Sequence, residues 1–285
     1  MKKLLQHVKT GKIELVDVPL PEFKPGFVLV KTVYSAVSLG TELALVDLLR
    51  ASIIEKARKK PEIVKKALSM AKRYGIKTAY QLISDRLDSY MPLGYSLSGE
   101  VMVAEEESEF SKGDVVACGG GEYASHQEIA LVPVNMCVKI PTGVTLKEAS
   151  FSTIGAVAIW ALREAGVEFG ERGLVVGLGL LGILSSRIMQ SIGVDTTGVD
   201  IDSMKVDFAN KIGVSAVNPP DLREGDFDFV LVTASSGDTS PLEYALEKAR
   251  RRGRIVIVGA VPVRLDRNKL YEKEVKMSKI LFFCN

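Results

Sequence analysis

The chain has 285 residues, 47% hydrophobic and 25% charged, with a formal net charge of +2. That composition describes an ordinary globular chain of one large or two modest domains, too weakly basic to imply nucleic acid as a partner. Gln6 and His7 argue against a signal-peptide core, and apolar runs such as 149–162 and 173–186 are too short to span a membrane. Cys118, Cys137 and Cys284 show no paired spacing and fit reduced thiols in a cytoplasmic protein. With only His7 and His126, a His-rich metal centre is excluded.

The first third reads as β. KIELVDVP (12–19) alternates apolar and polar residues, and Pro25-Gly26 opens a second strand, FVLVKTVY (27–34). A different segment follows over 42–90. There Leu45, Leu48, Leu49, Ile53 and Ala57 recur at helical spacing, Pro61 starts a further helix and Gly75 stops it. Residues 50–86 carry eleven Lys/Arg against three Asp/Glu, a local +8. Helices with solvated basic faces account for this, and so does a cap attracting an anionic substrate. PLGYSLSGEV (92–101) is a loop entering a strand, with the large Tyr95 set between Gly94 and the serines at 96 and 98. EVMVAEEESEFSKGDVVA (100–117) predicts a hairpin with an acidic turn ending in Gly113-Asp114, and EYASHQEIALVP (122–133) another strand.

From residue 145 the pattern changes. Thr145 and Glu148 form a capping box opening a long apolar helix through Ala165. Strands at 174–177, 197–200, 227–233, 254–261 and 276–283 then alternate with helices at 180–192, 203–212 and 241–251. The expectation is an α/β chain whose second domain (146–285) is a doubly wound parallel sheet, preceded by a β-rich domain (1–145).

The strand GLVV (173–176) runs into Gly177-Leu178-Gly179-Leu180-Leu181-Gly182, and a helix follows. In that context the glycines allow a tight turn, close approach of a pyrophosphate and helix–strand contact. Asp200 ends the next strand, 18 residues beyond Gly182, where a carboxylate accepts hydrogen bonds from both ribose hydroxyls. Lys205, Thr233 and Gly259 complete the candidate cofactor residues. The acid favours NAD(H) over NADP(H); the plainer alternative is glycines that only pack a helix onto a strand. Val175 and Val176 stand where methyltransferases usually carry an acid. Tyr244 and Lys248, spaced like a short-chain dehydrogenase pair, read as surface residues of a helix.

GLVVGLGLLG after FSTIGAVAIWAL (151–162), behind a β-rich domain, resembles the medium-chain dehydrogenase/reductase family. SLGTE (38–42) is similar to its Cys-Gly-Thr-Asp segment, PLGYSLSGEV to its Gly-His-Glu segment, and KGDVVACGGGEYA (112–124) to its Gly-Asp-Arg-Val strand and glycine-rich turn. The resemblance implies a GroES-like domain carrying the helical insert, then a Rossmann domain. Zinc members hold the metal with Cys, His and a second Cys or an acid. The matching positions here are Leu39, Tyr95 and Thr153, with Ser96 in place of the Glu, and the four-Cys structural lobe is missing. Hydrocarbon, neutral phenol and hydroxyl are poor zinc ligands, so no zinc is expected. Together, SLGTE, the insert and Gly-Tyr-Ser resemble the zinc-less dehydrogenase half of bi-domain oxidoreductases.

By that resemblance Thr41 takes the proton-relay position, and Tyr95 stands in the cleft as a general acid or a packing residue. Glu42 braces the site, and His126 is a proton-transfer group or an ordinary strand histidine. The expected activity is zinc-independent, NAD(H)-dependent hydride transfer to or from an alcohol, ketone or sugar-type substrate, with an anionic nucleotide sugar favoured by the insert. The alternatives are a zinc-free quinone or enone reductase and a non-catalytic NAD-binding subunit or sensor. The family ordinarily continues past the strand in KMSKILFFCN, so an open edge at 276–283 predicts a homodimer through that strand.

Overall fold

The computed structural model describes residues 1–38, 40, 42, 69, 75, 88–223 and 225–279. Most of the expected helical insert lies outside the described residues, as do Leu39 and Thr41. The chain divides into two compact units, the first running from Met1 to Thr153 and the second beginning at Ile154.

Two antiparallel sheets build the first unit. One is three-stranded: β1 (Lys2–His7) lies between β2 (Ile13–Asp17) and β4 (Tyr90–Pro92). The other contains β3 (Phe27–Ser35), β5 (Ser96–Val103), β6 (Val115–Gly119), β7 (Ile129–Pro133) and β8 (Cys137–Lys139), in the order β7-β3-β5-β6-β8. Val28, Val30, Leu97, Val101, Phe110, Val116, Ala130 and Val132 fill its interior. This is the GroES-like half. The hairpin of β5 and β6 forms as expected. The strand expected over 122–133 begins only at Ile129, because Tyr123 and Ala124 turn back to donate to the Gly120 carbonyl. Three short strands, β1, β4 and β8, were not legible in the periodicity.

The helix expected from Thr145 to Ala165 is two helices, α1 (Leu146–Ala149) and α2 (Ser152–Ala165). The capping box forms: Glu148 N–H donates to Thr145 Oγ1 at 3.2 Å, and Thr145 N–H to Glu148 Oε2 at 2.9 Å. Three serine hydroxyls then take the carbonyls at the break. Ser96 donates to Ser150 O (2.6 Å), Ser98 to Leu146 O and Ser150 to Lys147 O (2.7 Å). Buried hydroxyls that satisfy main-chain carbonyls offer the backbone an alternative to helical bonding.

In the second unit, β9 (Arg172–Val176), β10 (Asp195–Val199), β11 (Ser215–Val217), β12 (Phe227–Val232), β13 (Ala249–Ile257) and β14 (Lys276–Lys279) pair in parallel throughout. Their order is β11-β10-β9-β12-β13-β14. Numbered from β9, this is 3-2-1-4-5-6, the doubly wound Rossmann arrangement. Helices α3 (Leu180–Ser191), α4 (Ser203–Lys211), α5 (Ser240–Lys248) and α6 (Arg267–Lys273) connect the strands. Alternate residues of one strand serve opposite layers: Val175 joins Met189 and Ala209, while Leu174 and Val176 join Leu242 and Leu246. Helix α5 stops at Lys248, short of the expected 251, because Ala249 already pairs with Phe227. The strand expected at 254–261 is accordingly Ala249–Ile257, and β11 and α6 are additional.

The reading of Tyr244 and Lys248 as surface residues is corrected. Tyr244 Oη donates to Pro219 O (3.2 Å), Lys248 Nζ donates to Leu222 O (2.9 Å), and the ammonium lies 5.5 Å from the tyrosine ring centre. Burial pushes the Tyr244 phenol up to about 12. The pair therefore fastens the 219–222 segment onto α5. Among the described residues, no helix is long and apolar enough to cross a membrane.

Candidate functional site

The strand order reverses between β9 and β12, and ligands of doubly wound sheets bind outside the carboxyl ends of the strands at such a point. Here that end is built from main chain in close contact. Gly177 has φ +102°, and a Cβ on it would lie 2.5 Å from Ala234 N. A Cβ on Gly182 would lie 1.9 Å from Gly177 O, so the start of α3 rests directly on the turn. Gly179, the N-cap of α3, is exposed and has nothing within 4 Å of its Cβ position, which leaves the turn open to an anion. The first N–H groups of a helix lack intrahelical acceptors and suit a pyrophosphate. Leu178 turns its side chain into the core beneath Gly198, whereas Leu180 and Leu181 are half-buried in the first turn of α3.

Asp200 sits at the tip of β10, only 8% exposed. Its Oδ2 accepts from Leu178 N–H at 2.7 Å and its Oδ1 from Asp202 N–H at 2.9 Å. Lys205 Nζ is 3.6 Å from Asp200 Oδ2 and 3.9 Å from Asp202 Oδ2, held between two carboxylates. Asn218, not singled out from the sequence, donates to the Asp200 carbonyl at 2.8 Å. Thr233 and Gly259 serve the turn itself. The Thr233 hydroxyl donates to Gly177 O at 2.6 Å, and a Cβ on Gly259 would lie 1.9 Å from Ala234 O.

A second polar cluster lies in the first unit, where two of the four candidate catalytic residues meet. His126 Nε2 is 3.1 Å from Glu42 Oε2, with the two side chains 10% and 12% exposed. Its Nδ1 is 2.8 Å from Ser35 Oγ, a partner the sequence did not suggest. A carboxylate oxygen accepts, so Nε2 carries a proton toward Glu42, and Nδ1 faces the Ser35 hydroxyl. Glu42 Oε1 also accepts from Ser38 N–H at 2.9 Å. Both ring nitrogens are thus engaged inside the unit, and His126 orients Glu42.

Tyr95 is half-buried in the loop between β4 and β5, and its carbonyl accepts from Gly120 N–H at 3.0 Å. Its phenol oxygen makes no hydrogen bond among the described residues. Of the other positions that the family resemblance assigns to a metal site, Ser96 spends its hydroxyl on Ser150 O, and Thr153 N–H donates to Ser96 Oγ at 3.4 Å. Phenol and hydroxyl side chains do not make a zinc donor set. Among the described residues, no three of His, Cys, Asp and Glu cluster to hold a metal.

Gly94 governs the polar cluster sterically. It has φ +87°, and a Cβ on it would lie 2.7–2.8 Å from the His126 ring. Gly94→Ala is therefore expected to lower the thermal midpoint and to move the imidazole resonances of His126, leaving those of His7 in place. Proton spectra resolving the two histidines check this.

No family model matches the chain. It is 27% identical over 149 residues to the 2-dehydro-3-deoxy-L-galactonate 5-dehydrogenase of Pseudoalteromonas atlantica, covering 49% of this chain and 44% of that protein. It is 28% identical over 178 residues to an alcohol dehydrogenase of Geobacillus stearothermophilus, covering 59% of this chain and 50% of that protein. The chain spans about half the length of the curated relatives it matches. The solved structure of 2R,3R-butanediol dehydrogenase from Bacillus subtilis superposes with a TM-score of 0.75 over 98% of this chain and 84% of that one, at 17% identity, a likeness of fold alone. Motifs, sheet order and these similarities together bear out the resemblance to the medium-chain dehydrogenase/reductase family.

Proposed function

We propose that the protein is a zinc-independent, NAD(H)-dependent oxidoreductase acting on an alcohol, ketone or sugar-type substrate. The observation that carries this reading is the open glycine turn braced by Asp200, in a chain whose curated relatives are dehydrogenases of a sugar acid and of an alcohol. The turn and the first N–H groups of α3 would hold the pyrophosphate, and Asp200 the ribose. The bound nicotinamide supplies a hydride acceptor or donor. Hydroxyl donors from this chain stabilise charge on the substrate oxygen, with Tyr95 and Thr41 as the candidates and Glu42, held by His126, as their brace. The basic stretch over 50–86 supports an anionic substrate such as a nucleotide sugar.

NADH oxidation assayed against a panel of sugars, nucleotide sugars and ketones is expected to give turnover without added metal. Tyr95→Phe should lower that turnover tenfold or more, as loss of a general acid does at about 10²–10⁴-fold, while NADH binding holds. Elemental analysis is expected to find no stoichiometric zinc. One zinc per chain would overturn the metal-free reading.

Asp200 also sets the expected cofactor preference. A 2′-phosphate would meet a carboxylate already committed to Leu178 and Asp202, with Lys205 only partly offsetting it. Charged hydrogen bonds contribute about 1.5–3 kcal/mol each, so calorimetry should show NADH binding at least about tenfold tighter than NADPH.

For assembly, we propose a homodimer through the strand expected at 276–283. Strand β14 is the last in the sheet order and pairs only with β13 among the described residues, and residues 280–283 lie outside them. An unpaired edge invites a symmetric partner. Light scattering at micromolar concentration should report a dimer, and a monomer would reject it.

A further inference from the structure

We propose that Cys118 and Cys137 are an oxidisable pair that closes to a disulfide and pins β8 to the sheet. The two residues lie directly opposite each other on antiparallel β6 and β8. Directly opposed antiparallel residues have Cα atoms about 4.5 or 5.5 Å apart, and both spacings fall inside the range of about 4.4–6.8 Å that a disulfide spans. The sulfurs are already 3.5 Å apart, so closure to about 2.05 Å needs side-chain rotation and no change of register.

The two thiols differ in access. Cys118 is 1% exposed, and Cys137 is only partly buried. The hydrogen bond to Cys137 and burial push the Cys118 thiol far up, which keeps it protonated and inert toward outside reagents. Cys137 is therefore the sulfur that meets the oxidant. With hydrogen peroxide, the Cys137 thiolate takes one oxygen to give a sulfenic acid, and hydroxide leaves and is protonated to water. The Cys118 sulfur then attacks the Cys137 sulfur, losing its proton as the second water departs. Two thiol hydrogens are lost and the peroxide is reduced to two waters.

The consequence follows from topology. β8 has three residues, stands last in its sheet and, among the described residues, pairs only with β6. A bond between 118 and 137 would close the loop carrying His126 and also Gly120, which donates to the Tyr95 carbonyl. Edge strands this short fray readily, so a covalent tie should raise the stability of the first unit.

The test uses the full chain in a Cys284→Ser background, treated with hydrogen peroxide. Two alkylatable thiols should disappear together, the mass should fall by two hydrogens, and peptide mapping should join 118 to 137. The thermal midpoint should rise and return with dithiothreitol. Cys137→Ser should leave Cys118 reduced and unreactive in the folded protein under the same treatment. Sulfinic acid at Cys137 with Cys118 still a thiol, cross-linked chains, or a lower midpoint after oxidation would each overturn the proposal.

Discussion

At the tip of β10 a nearly buried carboxylate, Asp200, accepts one hydrogen bond from the glycine turn at Leu178 and another from the start of α4 at Asp202. Burying a charge is costly unless hydrogen bonds replace its water, and two main-chain donors with a nearby ammonium do so here. This single group ties β9, β10 and the helices that follow them at one point. The turn is thereby held in its bent form before any ligand arrives, and ligand-free order reduces what binding must supply.

The same end of the sheet tolerates no side chains on its glycines because main chain meets main chain there. Gly182 rests on Gly177, while Gly177 and Gly259 both rest against Ala234. Thr233 adds a hydroxyl bridge to the Gly177 carbonyl. The surface left over is Gly179 and the first N–H groups of α3, an opening that favours negative charge by the alignment of peptide dipoles. At this end the residues that close the core also shape the opening.

The first unit solves a different problem. Its polar side chains are spent on internal hydrogen bonds. Ser96 and Ser98 hold the break between α1 and α2, and Ser35, His126 and Glu42 form a shielded chain under Gly94. A carboxylate held from several sides in a low-dielectric setting is well oriented.

What the sequence determined by itself lay within short windows: the alternation of strand and helix after residue 145, the glycine turn, Asp200 at the next strand's end, the capping box and the β5–β6 hairpin. Each is a local pattern, set by side-chain period or by a turn requirement over a few residues. Tertiary structure decided the rest. The apolar period ran unbroken from Thr145 to Ala165, yet hydroxyls some fifty residues earlier in the chain split the helix. Tyr244 and Lys248 carried polar tips that periodicity assigns to solvent, and the 219–222 segment folded over them. The pairing of His126 with Ser35 spans 91 positions and that with Glu42 spans 84. No periodicity encodes such contacts, because a polar side chain acquires its partner only when the backbone of a distant strand arrives beside it.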